Sequence, residues 1–272
     1  MRLAKQSRHG PVLSVQLGYS PIGPPIMSVY FYYLNGLLID TGQHHMQRHA
    51  LDAIGDRPVR QILLTHHHED HSGNAAAFQK KTGAPVRGHA LTASKLKKGY
   101  RIRLYQHLIW GRTAPVGMAA LDAPIQADPY VLEPVETPGH SKDHVVFLEK
   151  NFGWLFSGDL YIGERIKFFR SDEDLEAQIH SLQKVMRLDF DTLFCAHNPC
   201  PKNGKRHLSR KLDYLVTLKQ KVIALHQKGC SVAEIIRRLD PGMDRRVKWI
   251  TMGNASFAHM VRSALASVKH PE

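Results

Sequence analysis

Residues 65–71 read Thr-His-His-His-Glu-Asp-His, and they directly follow the apolar run Val59–Leu64. Such a run predicts a buried strand, which would deliver the polar residues behind it to the edge of a sheet. Imidazole and carboxylate groups suit zinc, iron or manganese, and the lack of Cys in this stretch argues against a closed structural zinc site. Glu69 and Asp70 interrupt the histidines, which distinguishes the stretch from a polyhistidine tag. It therefore predicts a metal site at the end of a strand.

Four other short motifs, spread over residues 38 to 197, each contain an acidic residue or a histidine: Leu38-Ile-Asp40-Thr-Gly42, Thr137-Pro-Gly-His140-Ser141, Phe156-Ser-Gly-Asp159 and Cys195-Ala-His197. Together with the pattern His66-x-His68-x-Asp70-His71 they resemble, in the same order, the signature of the metallo-β-lactamase-fold hydrolase superfamily. One motif can match by chance, whereas five motifs in order are specific.

The resemblance implies seven ligands for two divalent metal ions: His66, His68 and His140 on the first ion, Asp70, His71 and His197 on the second, and Asp159 bridging both. Zinc is the expected metal, and iron or manganese would suit the same donors. Two ions about 3.5–4 Å apart share a hydroxide and polarise the bond that is broken. We therefore expect a hydrolase in which a metal-bridging hydroxide attacks a carbonyl, with Asp70 as the catalytic residue that orients it.

Further polar residues near the motifs are predicted to support the metals or to contact the substrate: Asp40, His44, Tyr161 and Lys167. His67 lies between two predicted ligands and is expected to point away from the metals, as a supporting or surface group. Glu69 is expected to begin a helix, and His144 to be structural or exposed.

The rest of the sequence alternates between strand and helix patterns. Asn35-Gly36 joins two strand patterns and predicts a type I′ hairpin. Periodicity alone predicts the α/β class, and the resemblance implies an αβ/βα sandwich of two mixed β-sheets. Residues 100–112 either cover the site or fix an amphipathic helix to the core. The Pro- and Ala-rich run Thr113–Pro129 is expected to be a loop that could serve as a lid.

The last quarter of the sequence changes character. Leucines recur at helical spacing as far as Leu225, and Ser231-Val-Ala-Glu234 is a capping-box pattern that opens a second helix. We see no strand pattern there. We expect a catalytic domain over residues 1–204 and a C-terminal helical appendage over residues 205–272. This arrangement resembles glyoxalase II-like and lactamase-β-like-protein-2-type members of the superfamily.

Composition and charge bear on location and partners. No apolar run approaches the roughly 20 residues that cross a bilayer, and no apolar segment typical of a signal peptide follows the first residues. The three cysteines lack CxxC spacing, and with these features they favour a cytoplasmic protein. The net charge is +13, and residues 202–272 contain 15 Lys and Arg against 5 Asp and Glu. This excess could attract nucleic acid, but dispersed basic residues are also typical of a solvated helical surface.

The favoured function is hydrolysis of an ester-type carbonyl in a small-molecule substrate: a thioester, lactone, ester or amide, with β-lactam hydrolysis as a side reaction. The alternative is a metal-dependent endoribonuclease or phosphodiesterase, which the basic C-terminal region favours. Asn198-Pro199 follows His197 where the resembling proteins frequently have Gly, so the substrate mouth is expected to differ from theirs. The sequence leaves the substrate and the oligomeric state open.

Overall fold

The computed structural model describes residues 1–121, 123–240 and 245–269. The first of its two main sheets contains the N-terminal strands. Seven strands form the first sheet in chain order: β1 (Arg2–His9), β2 (Val12–Tyr19), β3 (Ser28–Leu34), β4 (Leu37–Ile39), β5 (Gln61–Leu63), β6 (Val86–Gly88) and β7 (Met118–Ala120). Strands β1 to β4 are antiparallel neighbours, and β4 to β7 are parallel. Asn35 and Gly36 have φ values of 41° and 91°, so the predicted type I′ hairpin is confirmed.

The later strands form the second sheet and a short ribbon. They are β8 (Ile125–Ala127), β9 (Tyr130–Glu136), β10 (Val145–Glu149), β11 (Trp154–Gly158), β12 (Phe169–Arg170), β13 (Thr192–Cys195) and β14 (Ala255–Ser256). The second sheet has the order β13-β11-β10-β9-β8, with β13 parallel to β11 and the other pairs antiparallel. β12 pairs with β14 as a two-stranded ribbon.

Helices pack around the two sheets. They are α1 (Gln47–Ile54), α2 (Glu69–Ser72), α3 (Ala75–Thr82), α4 (Ala90–Lys98), α5 (Leu104–Ile109), α6 (Leu175–Met186), α7 (Gly204–Gln227), α8 (Val232–Leu239), α9 (Arg245–Ile250) and α10 (Phe257–Lys269), with a 3₁₀ turn at His44–Met46 before α1. None of the helices in the described ranges is long and apolar enough to cross a membrane.

The packing of β10 shows the layer order. Its side chains alternate: Val145 and Phe147 belong to the core between the sheets, whereas Val146 and Leu148 pack with α6, α7 and α10. Residues 145–148 are apolar at consecutive positions, as expected for a strand that is buried on both faces. On the other side, α1, α3 and α4 cover the first sheet. The layers are therefore helix, sheet, sheet and helix, and the predicted sandwich of two mixed sheets is confirmed.

Two local predictions were wrong. The run Thr113–Pro129 is not a loop throughout, because it contains β7 and β8, the edge strands of the two sheets. These strands are three residues each, too short to show a periodic pattern. The C-terminal region is not free of strands, because β14 pairs with β12. The tertiary pairing stabilises a two-residue strand that no local pattern indicates.

The C-terminal helices share one core with the second sheet. Leu208, Leu215 and Val222 of α7 pack in the same cluster as Leu193 of β13 and Leu175 of α6. The helical character of the C-terminal region is confirmed. The division of the chain between residues 204 and 205 stays a prediction.

Candidate metal centre

The stretch 65–71 is fixed from behind by Asp40. Asp40 follows β4 and adopts a left-handed conformation with φ of 58°. Its Oδ1 accepts a hydrogen bond of 2.8 Å from the Thr65 backbone N–H, and its Oδ2 accepts one of 2.8 Å from Thr65 Oγ1. Because β4 and β5 are parallel neighbours, their carboxyl ends meet at the same edge. The sheet therefore presents the histidines that follow β5 beside Asp40.

Three histidines form the first group of donors. His66 Nε2 lies 2.8 Å and His140 Nε2 lies 3.1 Å from His68 Nδ1. Burial lowers the pKa of His66 and His68 well below the ordinary value, and other histidines nearby lower it further in both. These two rings are therefore neutral, and each can offer one nitrogen lone pair. Asp159 Oδ2 completes the group 3.2 Å from His140 Nε2.

Asp70, His71 and His197 form the second group. His71 Nε2 and His197 Nε2 lie 3.4 and 3.3 Å from Asp159 Oδ1, and Asp70 Oδ2 lies 3.4 Å from His197 Nε2. Burial alone would lower the pKa of His197, but the carboxylates of Asp159 and Asp70 raise it to about 10. Asp159, Asp40 and Asp70 raise the pKa of His71 well above its ordinary value. The carboxylates of this group thus create a negative environment that favours a cation.

The donor sets fit two divalent cations. Within each group the ligand atoms all lie within 4.8 Å of one another. His71 Nε2 and Asp159 Oδ1 are buried and make no hydrogen bond within the described residues, although each lies near a group of opposite charge. Buried polar atoms normally have a partner, and a cation would provide one. All seven predicted ligands are thus brought together, and their role as ligands stays a prediction.

Three of the ligand rings, those of His71, His140 and His197, are held through their second nitrogen. His71 Nδ1 donates to Asp40 Oδ2 at 2.7 Å, and His197 Nδ1 contacts the Ser28 carbonyl at 2.8 Å. His140 Nδ1 lies 3.3 Å from Glu173 Oε2. Such partners fix which nitrogen faces a metal and how the ring is turned. Asp40 therefore lies where the sequence predicts a supporting group, and Glu173 has the same role without any motif to indicate it.

A buried carboxylate, Asp143, joins the two ligand loops. Its oxygens accept hydrogen bonds from the His67 backbone N–H at 3.1 Å, from His67 Nδ1 at 2.9 Å and from Thr92 Oγ1 at 2.6 Å. Lys95 Nζ lies 3.9 Å away. The ring of His67 is therefore directed towards Asp143, on the supporting side that we expected, and it is buried rather than on the surface. Sequence reasoning missed Asp143, because no spacing relates it to the histidines.

His144 and Gly158 fix the loop that carries Asp159. The Asp159 backbone N–H donates to His144 Nε2 at 3.0 Å, and His144 Nδ1 lies 2.8 Å from Thr137 Oγ1. Burial lowers the pKa of His144 to about 3, so the ring is neutral. Gly158 has φ of 47°, and a Cβ there would lie 2.8 Å from His144 Nε2. The Ser-Gly-Asp motif therefore needs Gly for both conformation and space, and His144 is structural.

The tentative substrate residues are placed differently from one another. Lys167 is exposed and lines the cavity described below. Tyr161 is 2% exposed, and its ring packs 6.1 Å from that of His207, so it does not line the cavity. His44 begins the 3₁₀ turn and is also absent from the cavity wall. Glu69 begins α2 as predicted, and its buried carboxylate accepts from Gln106 Nε2 at 3.1 Å.

A cavity of about 380 Å³ opens beside the donor groups. Five of the predicted ligands line it: His68, Asp70, His140, Asp159 and His197. The other walls come from the β2–β3 loop, α5, residues 162–168 and α9. Residues 100–112 were expected either to cover the site or to fix a helix to the core. Because α5 forms part of the cavity wall, the structure supports the first interpretation. The size is typical of small-molecule sites.

Residues 30–197 of the chain match the sequence model of the metallo-β-lactamase superfamily. The chain belongs to the metallo-β-lactamase superfamily. The match runs from β3 to the last predicted ligand, His197, and so includes all five motifs. The predicted membership of this superfamily is confirmed.

Several curated proteins of the superfamily are similar to the chain. It is 28% identical over 229 residues to thioesterase pkgB of Emericella nidulans, covering 79% of this chain and 60% of that protein. It is 31% identical over 163 residues to the hydroxyacylglutathione hydrolase of Acidiphilium cryptum, covering 58% of this chain and 59% of that protein. It is 29% identical over 204 residues to the β-lactamase-like protein 2 homolog of Drosophila melanogaster, covering 66% of this chain and 62% of that protein. The chain thus spans about three fifths of the length of these relatives.

Solved structures of the superfamily share the fold. A metallo-β-lactamase family protein from Thermus thermophilus matches with a TM-score of 0.69 and 19% identity, over 96% of this chain and 95% of that chain. A metallo-β-lactamase from Pontibacter korlensis matches with a TM-score of 0.64 and 22% identity, over 79% and 99% of the two chains. At such identities the likeness shows the superfamily fold alone.

Proposed function

We propose that the protein is a metal-dependent hydrolase with a dinuclear centre, most simply of zinc, that cleaves thioesters. The observation that carries the proposal is the convergence of seven donors in two groups, with one oxygen of Asp159 directed at each group. Seven similar proteins support the thioester bond as the target, because their names are thioesterase or hydroxyacylglutathione hydrolase. The bond type comes to this chain by similarity, whereas the donor geometry is its own.

When bound, two divalent ions would supply an activated water and polarise the carbonyl oxygen. The chain's residues would do the rest. As a ligand of a bound cation, the Asp70 carboxylate would be ionised and could accept a proton. Asp70 also lines the cavity, where it can orient a water towards a carbonyl carbon. His144, Asp40 and Glu173 hold the donors in place and so limit reorganisation during the reaction.

The alternative function, cleavage of a phosphodiester such as RNA, depends on the basic C-terminal region. Several basic side chains of α7 contact groups of this chain instead. Arg210 Nη1 lies 2.9 Å from Glu164, Lys219 pairs with Glu176, and Lys205 donates to the Leu188 carbonyl. These cations are partly neutralised or turned inward, which weakens the field that would attract a polyanion. We therefore keep a phosphodiesterase as the second candidate.

A substrate panel separates the two candidates. The protein is purified, its zinc content is measured, and it is assayed on a thioester, a lactone, a chromogenic β-lactam and single-stranded RNA. We expect two zinc ions per chain and the highest kcat/KM on the thioester. His140→Ala should abolish this activity, whereas His180→Ala, at a histidine whose side chain is 57% exposed, should keep it. RNA cleavage that requires His140, without hydrolysis of any carbonyl substrate, would overturn the proposal in favour of the alternative.

A further inference from the structure

The wall of the cavity that α9 provides is apolar. Val247 and Ile250 line the cavity, and their spacing of three residues places them on one side of the helix. The neighbouring side chains Lys248 and Trp249 are exposed, with Trp249 82% exposed. The helix thus directs Val247 and Ile250 inward at the cavity, while Lys248 and Trp249 face solvent.

The other walls have the same character. From α5 and the residue after it, Ile109 and Trp110 line the cavity, and Ile162, Ile166 and Phe168 line it from the segment that follows Asp159. Trp110 is buried, whereas the others are half-buried and therefore keep surface that a ligand could cover. We call this space, bounded by α5, residues 162–168 and α9, the apolar chamber.

Several polar side chains that line the apolar chamber have partners within the chain, and Arg170 Nε lies 3.3 Å from Asp172 Oδ1. Lys211 Nζ donates to the Leu160 carbonyl at 2.7 Å, Gln178 Nε2 donates to Glu173 Oε2 at 2.8 Å, Gln106 donates to Glu69, and Tyr105 accepts from Asn254. A polar ligand would have to give up its hydrogen bonds to water and would find these groups engaged, which costs free energy. An apolar ligand loses nothing in this exchange and gains the burial of its own surface.

The donor groups lie at one boundary of the apolar chamber, and positive charge lies on its rim. Asp70, Asp159 and His197 line the same cavity as the apolar walls. When the carbonyl of a thioester lies beside these donors, one of the two groups attached to that carbonyl therefore extends into the chamber. Arg165 and Lys167 are exposed where the cavity meets solvent. The thiols that carry acyl groups are polar or anionic, so they would interact more favourably with the positively charged rim than with the apolar walls.

We propose that the apolar chamber binds the acyl group, so that the substrate is a thioester of an apolar acyl chain rather than of a small hydroxylated acid. This inference rests on the proposed function and deepens it. Each methylene that enters the chamber should raise kcat/KM by about fourfold until the chamber is filled. Adding a hydroxyl to the acyl chain should lower kcat/KM, because the surface that lines the chamber is mostly apolar and the hydroxyl would give up its hydrogen bonds to water on entering it.

The test is a series of N-acetylcysteamine thioesters with acetyl, butyryl, hexanoyl, octanoyl and decanoyl groups, which share one neutral leaving thiol. We expect kcat/KM to rise along the series and then level off. Ile250→Glu should flatten the rise by placing a charge in the chamber, while Trp249→Glu adds the same charge on the exposed side of α9 and should keep it. Val247→Phe is a second variant that fills space, and it should move the optimum to shorter chains.

A binding measurement on the metal-loaded protein separates recognition from chemistry. Calorimetry with S-octyl-N-acetylcysteamine, a thioether that cannot be hydrolysed, should give a negative heat-capacity change that is smaller for the S-butyl analogue. Hydrolysis of all chain lengths at similar kcat/KM, or an unchanged rise in both Ile250→Glu and Val247→Phe, would overturn the chamber assignment and leave thioester hydrolysis standing. If no thioester of the series is hydrolysed, the proposed function fails and this inference fails with it.

Discussion

Replacing Asp143 by Ala should be the most informative perturbation outside the predicted ligands. The side chain is fully buried and accepts hydrogen bonds from the backbone N–H and Nδ1 of His67 and from Thr92 Oγ1. It connects the loop that carries His66 and His68 with the loop that carries His140. Its removal would leave these donors buried without an acceptor and would free the two loops from each other.

The magnitude follows from the number and kind of these contacts. Hydrogen bonds to a charged group contribute about 1.5–3 kcal/mol each, and removal of one partner from a buried charged network costs about 3–5 kcal/mol in total. We therefore expect Asp143→Ala to lower the free energy of unfolding by about 4 kcal/mol. Groups that orient metal ligands typically change metal affinity by about 10–100-fold, so zinc affinity should fall within that range.

Urea unfolding of the zinc-free protein, followed by circular dichroism, measures the first effect, and competition with a fluorescent zinc chelator measures the second. Asp52→Ala is the matched control, because Asp52 is 70% exposed and its pair with Arg48 is 3.7 Å long. This control should change stability by less than about 1 kcal/mol. Asp143→Asn keeps an acceptor oxygen and should lie between the control and Asp143→Ala. A loss below about 1 kcal/mol in Asp143→Ala, with unchanged zinc affinity, would refute the reasoning.

Three further predictions concern single side chains. Burial lowers the pKa of Lys211 to about 8 in the folded protein. Between pH 8 and the ordinary lysine pKa of about 10.5, the unfolded chain therefore binds more protons than the folded protein. As the pH rises across this window, the free energy of unfolding of wild type, measured in urea, should therefore increase by about 3 kcal/mol relative to that of Lys211→Met. A difference between the two proteins that does not change with pH would contradict the burial argument. Asp40→Ala removes the acceptor of His71 Nδ1 and should weaken binding of the second zinc ion by about 10–100-fold in a zinc titration, whereas stepwise affinities equal to those of wild type would count against this role. Lys167→Gln should raise KM for a coenzyme A thioester by less than about tenfold, because an exposed charge pair contributes at most about 1 kcal/mol. KM for the matching N-acetylcysteamine thioester should stay constant, and an equal rise for both substrates would exclude recognition of the anionic thiol.

The sequence determined the parts of this protein that local chemistry encodes. The five motifs lie next to strand ends, and the order and spacing of their residues are readable without a structure. Asn35-Gly36 requires positive φ at both positions, so the dipeptide alone indicates its turn. The capping box at Ser231 is observed as predicted at the start of α8. In each case the residues that determine the feature are within a few positions of one another.

Only the tertiary structure decided which distant residues complete the site. Asp143 reaches His67 across 76 residues of sequence, and no local pattern links an acidic residue to a histidine at that separation. The same holds for α9, whose Val247 and Ile250 would be interpreted as core positions of a helix until the fold places them in the cavity wall. Tyr161 lies two residues beyond Asp159, yet its side chain packs beside His207 instead of in the cavity. Side-chain direction and long-range contact depend on how the layers pack, and packing is a property of the whole chain rather than of any segment.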